Sequence, residues 1–135
     1  MSEAPNIALY RRLIEEGVGI GNLDLLDEIL SPDIALPTIA AFAEPTIVGL
    51  KQVNSAFRGG AADLRAKIDE IYAAGDWVAA RLTWTGTHSG ELFGIPATGR
   101  RFSVTEFEIV QCRAGRIVDV RELVNVEELV AQLTD

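Results

Sequence analysis

The sequence predicts an α+β fold in which helices come first and long, mostly antiparallel strands follow. Apolar residues recur at helical spacing in the first half of the chain. The second half instead carries long runs rich in β-branched and aromatic residues, joined by short turns that contain glycine. The chain has 135 residues, enough for one domain, residues 1–135, with a core and a modest pocket.

Three helices are predicted ahead of the long strands. The first begins near Pro5 and loses regularity at its glycines, of which Gly17 is the first. Asn22 is expected to cap a short second helix, which Ser31-Pro32-Asp33 ends. A third helix ends at Gly59-Gly60. Their apolar faces consist of Ile7, Tyr10, Leu13 and Ile14, then Leu25, Leu26, Ile29 and Leu30, then Leu50, Val53 and Phe57.

Strands are predicted in two groups. Short strands at residues 34–36 and 46–48 flank an apolar loop over residues 37–45. Long strands cover residues 64–73, 77–87, 102–112 and 117–124, and short turns join them into two hairpins. Asn125 then caps a last amphipathic helix, and Glu128 completes a pair similar to a capping box.

Composition and charge limit the classes of function. The net charge of −8 argues against a nucleic-acid or anionic-membrane partner, and the apolar runs are too short to span a bilayer. A single cysteine, Cys112, leaves no partner for an internal disulfide. The first residues show no secretory signal, so we expect a cytoplasmic protein. No motif for a metal, a phosphate or a dinucleotide is present, and no cofactor is expected.

Acidic residues recur on one predicted face of the last two strands. Side chains alternate along a strand, so every second residue points the same way. Folding the hairpin about Gly115 places Glu108 nearly opposite Glu122. Val110 then lies opposite Val120. The two faces consist of Phe102, Val104, Glu106, Glu108 and Val110 on one strand, and Val118, Val120, Glu122 and Val124 on the other.

If these faces line a pocket, burial and mutual repulsion raise the pKa of at least one glutamate. The pair then titrates as a coupled unit, and it can supply an acid and a base near neutral pH. The alternatives are a solvent-exposed face, or acids that are neutralised by Arg81, Arg100 or Arg121. A register slip of one residue would also undo the pairing.

His88, the only histidine, has two interpretations. It can act as a general acid or base because its pKa lies near neutral. It can equally hold the end of a strand through hydrogen bonds. Ser89 beside it does not indicate a triad, because no third member is identifiable.

Three segments resemble the SnoaL-like polyketide cyclases, which share the cone fold of nuclear transport factor 2 and ketosteroid isomerase. They lie in residues 21–33, 75–101 and 115–133. The middle segment, which includes GTHSGELFGIPATGRR, is the most specific of the three. The resemblance implies a cone-shaped α+β barrel, with a curved mixed or antiparallel sheet wrapped around the N-terminal helices and an internal pocket.

The resemblance also implies an activity. SnoaL-like cyclases close a ring by intramolecular aldol condensation without a metal or organic cofactor, and an acid on the last strand is the base. The resemblance places Glu122 at that position. It places Glu108 at a pocket position where the cyclases often have a histidine and ketosteroid isomerases carry a proton-donating acid. Val120 stands where the cyclases usually have a second histidine, and residues 36–38, Leu-Pro-Thr, replace the basic carboxylate of the isomerases.

We therefore expect a cofactor-independent acid–base enzyme that cyclises a small hydrophobic, polyketide-like substrate by an aldol-type reaction. Glu122 would remove a proton and Glu108 or His88 would donate one, with Glu106 in the same acidic cluster. Much of the catalysis would be positioning, because ring closure is intramolecular. The expected pocket walls are Tyr10, Phe42, Phe57, Trp84, Val110 and Val120.

Two other functions stay open. One is an epoxide hydrolase or pyran-forming cyclase that uses paired carboxylates, and the other is a non-catalytic small-molecule-binding or dimerisation module. A buried acid in an apolar cavity would favour catalysis, whereas an exposed Glu122 paired with arginine would favour the non-catalytic module. Members of the resembled family are often homodimers or larger oligomers, so we expect a homodimer.

Overall fold

The structure, a computed structural model, describes residues 3–134, which form four α-helices and a five-stranded sheet. The α+β class predicted from the sequence is confirmed. An irregular helical turn over Leu13–Val18 continues the first helix, and a 3₁₀ turn over Leu23–Leu25 precedes the second. The helices are α1 (Glu3–Arg12), α2 (Leu26–Ile29), α3 (Ile47–Gly60) and α4 (Val126–Thr134). The strands are β1 (Leu30–Ala35), β2 (Arg65–Ala74), β3 (Trp77–Thr87), β4 (Arg101–Arg113) and β5 (Arg116–Val124).

The sheet is mixed, and its strand order is β1-β5-β4-β3-β2. β1 runs parallel to β5, and the other neighbours are antiparallel. α1 packs across β2, β3 and β5, so the N-terminal helices cover one face of the sheet. None of the helices between Glu3 and Thr134 is long and apolar enough to cross a lipid bilayer.

Two expectations about the first half of the chain are wrong. The predicted strand at residues 46–48 is instead the start of α3, because Thr46 Oγ1 accepts a hydrogen bond from the Gly49 N–H at 3.2 Å and so caps the helix. A Cβ at Gly49 would overlap the Glu44 carbonyl oxygen, so only glycine permits this close approach. Asn22 does not cap the second helix, since its side-chain amide donates to the Glu16 carbonyl at 3.2 Å.

Proline in β1 is the next difference from the expected pattern. Ser31-Pro32-Asp33, which the sequence predicts only as the end of a helix, lies inside this strand. Proline lacks an N–H, but β1 is at the edge of the sheet, where one side of the ladder needs no donor.

The four long strands lie within two residues of their predicted bounds. A β-bulge alters the pairing of β4 with β5, because Gln111 pairs with Asp119 whereas Cys112 pairs with Ile117. Ile117 is therefore fully buried, although the sequence predicts that Val118 faces inward. From Val120 onward, β5 keeps the predicted inner face.

The core has two adjacent apolar clusters, and Trp84 packs against both. The larger lies between the N-terminal helices and the sheet, and includes Tyr10, Ile14, Leu26, Leu82 and Val110. The smaller lies where α4 crosses β4, and includes Leu92, Phe102, Leu129 and Leu133. Each fully buried side chain of this size stabilises the fold by about 1.5–3 kcal/mol.

Candidate active site

Three glutamates converge on the inner face of the sheet. Glu106 and Glu108 on β4 are 3% and 6% exposed, and Glu122 on β5 is half-buried. Glu108 pairs directly with Glu122 in the antiparallel ladder, and Val110 with Val120, so the predicted register is confirmed. One carboxyl oxygen from each glutamate lies within 4.8 Å of the others. We call Glu106, Glu108 and Glu122 the carboxyl cluster.

Two neighbouring side chains donate hydrogen bonds to the carboxyl cluster. The Tyr10 hydroxyl on α1 donates to Glu108 Oε1 at 2.6 Å. The Trp84 indole N–H on β3 donates to Glu106 Oε1, also at 2.6 Å. Tyr10 is fully buried and Trp84 is half-buried, so the first hydrogen bond is buried and the second is partly buried. Two sequence-predicted pocket residues are therefore partners of the acids.

The electrostatics of the carboxyl cluster favour protonated acids. Burial raises the pKa of Glu106 well above its usual value, and the charges of Glu108 and Glu122 raise it further. Burial, and then the charge of Glu122, likewise raise the pKa of Glu108. The pKa of Tyr10 is raised by burial and then by the charge of Glu108, so Tyr10 stays a neutral donor. Burial and mutual repulsion therefore both favour the neutral forms of Glu106 and Glu108.

The three arginines that the sequence offers as possible counter-ions each contact other groups. Arg81 pairs with Asp69 and Glu70. Arg121 pairs with Asp119 and stacks on Trp77, and Arg100 donates to the Gln132 carbonyl. Across residues 3–134, none of the ion pairs involves Glu106, Glu108 or Glu122. In the described residues, the acidic face is therefore turned inward and its acids are not paired with arginine.

Thr38 is a contact of the carboxyl cluster that the sequence analysis did not find. Its Oγ1 accepts a hydrogen bond from the Glu122 backbone N–H at 3.1 Å. β1 ends at Ala35, which is paired with Asp119, so the edge of β5 beyond that point has no neighbouring strand. The loop after β1 thus supplies a side-chain acceptor in place of a ladder carbonyl.

His88 lies outside the carboxyl cluster. It is fully buried just beyond β3, where its Nδ1 accepts from the Thr98 N–H at 3.2 Å and its Nε2 lies 3.2 Å from the Ile95 carbonyl oxygen. On β3, Leu82 is the partner of Glu106 and lies six residues before His88, which is roughly 20 Å along a strand. These contacts agree with the second interpretation of His88, in which hydrogen bonds from the ring hold the chain at the end of β3.

The remaining predicted pocket residues fall into two groups. Val110 and Val120 are buried beside the Glu108–Glu122 pair. Phe42 is 66% exposed on the loop after β1, and Phe57 on α3 packs edge-on against Phe93 with ring centroids 5.6 Å apart. Sequence patterns identify these rings as apolar but give no information on their distance from the acids.

Two surface grooves open away from the carboxyl cluster. One lies between α1 and the β4–β5 turn and is lined by Leu9 and Cys112. The other lies beside the start of α4 and is lined by Phe107 and Leu123. The residues that line these two grooves do not include the acids, and Glu122 is the most exposed of the three acids.

The comparison with known families agrees with this geometry. A family model described as SnoaL-like polyketide cyclase matches residues 8–133. The chain belongs to this family. The resemblance inferred from the sequence is therefore confirmed over nearly the whole chain.

Individual SnoaL-like relatives are similar at the level of sequence and fold. Aklanonic acid methyl ester cyclase DauD of Streptomyces sp. (strain C5) is 32% identical over 123 residues, covering 88% of this chain and 75% of that protein. Nogalonic acid methyl ester cyclase of Streptomyces nogalater is 32% identical over 124 residues, covering 85% of this chain and 87% of that protein. The crystal structure of wild-type IdmH from Streptomyces antibioticus has a TM-score of 0.86 at 29% identity, covering 96% of this chain and 99% of that one. The expected cone fold is confirmed.

Proposed function

We propose that this protein cyclises a small hydrophobic polyketide by an intramolecular aldol-type reaction. Support comes from the position of Glu122, whose carboxyl lies beside two buried carboxyls whose pKa values are raised by burial. The SnoaL-like relatives that are named as aklanonic and nogalonic acid methyl ester cyclases support the substrate class.

In the proposed reaction, Glu122 is the base. It removes a proton from a carbon next to a carbonyl group, and the resulting carbanion attacks a second carbonyl of the same molecule. The oxygen of that second carbonyl takes a proton from Glu108. One C–H bond breaks while one C–C bond and one O–H bond form, so substrate and product are isomers. A proton then passes from Glu122 to Glu108 and restores the resting state, since their oxygens lie within 4.8 Å.

The surroundings suit these roles. Burial disfavours the charged form of Glu108, so a proton donor stands next to the base. The half-buried Glu122 is the carboxyl that a substrate entering from solvent meets first. Buried Val110 and Val120 offer an apolar wall beside the acids. Holding the two reacting ends of one flexible molecule together accounts for much of the rate enhancement. The chain's own carboxyls provide both proton transfers, with no metal or organic cofactor taking part.

Incubation of the purified protein with aklanonic acid methyl ester and with nogalonic acid methyl ester tests this function. We expect a product of unchanged mass and altered chromatographic retention. Glu122→Gln should lower the rate by about 10²–10⁴-fold, the usual contribution of a general base. Glu127→Gln, which alters an exposed carboxyl on α4, is the matched control. Full turnover by Glu122→Gln would contradict the role of Glu122.

A second candidate is favoured by the position of two buried acids with raised pKa values beside Glu122. One acid would protonate an epoxide oxygen while Glu122 activates water or a substrate hydroxyl, which attacks the ring carbon and gives a diol or a pyran. Epoxide-bearing polyketides distinguish this reaction, because only epoxide opening consumes them. Binding of every substrate without conversion would favour a non-catalytic module instead.

A further inference from the structure

Glu106 has no role in the proposed proton transfers, yet it is the most buried member of the carboxyl cluster. It is 3% exposed, and it lies within 4.8 Å of both the proposed base and the proposed acid. Burying a carboxyl is unfavourable unless its polar atoms are satisfied, and an apolar side chain would fill this position without that cost. The structure supplies a dedicated partner, the Trp84 indole, at 2.6 Å.

The chemistry of that partner fixes where the Glu106 proton lies. An indole N–H can donate but cannot accept, so Glu106 Oε1 must accept the hydrogen bond. A protonated carboxyl has one carbonyl oxygen and one hydroxyl. When Glu106 is protonated, Oε1 acts as the carbonyl oxygen and the hydroxyl is at Oε2, and the side chain also shares a hydrogen bond with Glu122. Tyr10 also holds Oε1 of Glu108, through a hydroxyl that can both donate and accept.

The groups that face Glu106 come from every element around it. They are Tyr10 from α1, Trp84 from β3, Glu108 from β4 and Glu122 from β5. Tyr10 is hydrogen-bonded to Glu108, and Glu122 shares hydrogen bonds with both Glu106 and Glu108. Glu106 and Glu108 therefore each have one oxygen held by an aromatic side chain, and both also hydrogen-bond to Glu122, the proposed base.

We propose that Trp84 is a positioning residue that holds Glu106 as a second proton donor beside Glu122, so that the site binds two substrate oxygens at once. This rests on the proposed function, in which negative charge develops on two oxygens, one next to the carbanion and one on the attacked carbonyl. Glu108 donates to one oxygen and Glu106 to the other. Preorganised donors at both positions stabilise the transition state more than a single donor does.

Binding of two matched probes tests this arrangement without turnover. Benzoylacetone offers two ketone oxygens, and butyrophenone has the same phenyl ring and chain length with one. We expect the wild-type protein to bind benzoylacetone more tightly by calorimetry. In Trp84→Phe the ratio of the two dissociation constants should fall by about fivefold, which corresponds to the loss of one hydrogen bond. Trp77→Phe, which alters the indole that stacks on Arg121, should keep the advantage.

A second variant separates donation from packing. In Glu106→Gln, the side-chain oxygen can accept from Trp84 while the amide nitrogen donates from the position of Oε2, so the benzoylacetone advantage should persist. The double variant with Trp84→Phe should lose it. Three outcomes would overturn the role of Trp84. Trp84→Phe could weaken the binding of both probes equally, or it could leave the preference for benzoylacetone unchanged. Glu106→Gln alone could also lose that preference.

The probes also separate this inference from the proposed cyclisation. A wild-type protein that prefers benzoylacetone but converts neither methyl ester would contradict the cyclisation and keep the two-donor arrangement. A wild-type protein that converts an ester but shows no preference between the probes would overturn the two-donor arrangement and leave the cyclisation intact.

Discussion

Glu108 and Glu122 are direct partners across the β4–β5 hairpin, and their carboxyl oxygens come within 4.8 Å of each other on the inner face of the sheet. Like charges at facing positions of a ladder are destabilising. Glu106 adds a third carboxyl to the same space. Burial and repulsion raise the pKa of Glu106 and Glu108, which favours their neutral forms, and Tyr10 and Trp84 hydrogen-bond to these two acids.

The stability of the protein should reflect these retained protons. The folded-state pKa of Glu106 and Glu108 is raised, whereas an unfolded glutamate has a pKa of about 4.3. The folded state therefore binds more protons between the two values. Their stabilising effect is complete below about pH 4.3 and is lost as the pH rises toward the folded pKa, by about 1.4 kcal/mol per pH unit for each group that retains a full proton in that interval. Glu106→Gln removes one titrating group, so its unfolding free energy should fall less steeply with pH.

Urea unfolding of the wild type and of Glu106→Gln at a series of pH values measures this difference. The comparison cancels surface acids such as Asp63 and Glu70, whose pKa values are lowered and which act in the opposite direction. Identical slopes in the two proteins would show that Glu106 does not retain its proton.

Tyr10→Phe should destabilise the protein and impair the proposed reaction. The change removes the donor to buried Glu108 Oε1, and leaving such an acceptor unsatisfied costs about 1–3 kcal/mol. We expect a larger fall in kcat than a rise in KM, because Glu108 loses its fixed orientation. Tyr72→Phe is the matched control, since Tyr72 donates to Glu70 on the exposed side of the sheet. Equal effects from both variants would argue against a special role for Tyr10.

Thr38 should control the position of Glu122 through the backbone. Thr38→Val keeps the shape of the side chain but leaves the Glu122 N–H without its acceptor, whereas Thr38→Ser keeps the hydroxyl. We expect faster amide hydrogen exchange at Glu122 and a lower kcat in Thr38→Val, with near wild-type behaviour in Thr38→Ser. Unchanged hydrogen exchange at the Glu122 amide in Thr38→Val would show that the Thr38 hydroxyl does not hold this part of the backbone.

His88→Ala should act on stability rather than on catalysis. The fully buried ring is hydrogen-bonded to the Thr98 N–H and lies against the Ile95 carbonyl, so its loss should cost about 1–3 kcal/mol through unsatisfied groups. Thermal unfolding measures the loss, and ester conversion well below the unfolding temperature measures activity. A folded variant without activity would restore the catalytic interpretation of His88.

We propose that the outer face of the sheet joins two copies of the chain. Tyr72, Phe107, Ile109 and Leu123 are 64%, 56%, 46% and 74% exposed, which is unusual for apolar side chains clustered on one face. Leu123→Glu would bring like charges together across a symmetric interface. Sedimentation should then show a dimeric wild type and a monomeric variant, with Val48→Glu on α3 as the control. A monomeric wild type would contradict this interface.

Much of the candidate site follows from local patterns. The alternation of Glu106, Glu108 and Val110 gives one face of β4, and the turn at Gly115 sets the register that pairs Glu108 with Glu122. These features depend on residues that are close in the sequence, where strand geometry leaves few alternatives. The helix caps are less predictable, because Thr46 could belong to a strand or a cap until the approach of Glu44 to Gly49 is known.

The fold class, the long strands, the facing acids and the family can all be predicted from the order of the residues. The burial of the acidic face, the two donors Tyr10 and Trp84, and the place of His88 at the far end of β3 emerge only from the folded molecule. Thr38 reaches Glu122 across 84 residues of sequence, and Tyr10 reaches Glu108 across 98. Contacts of this kind depend on how helices and loops pack on the sheet, and the periodicity of a single segment carries no record of that packing.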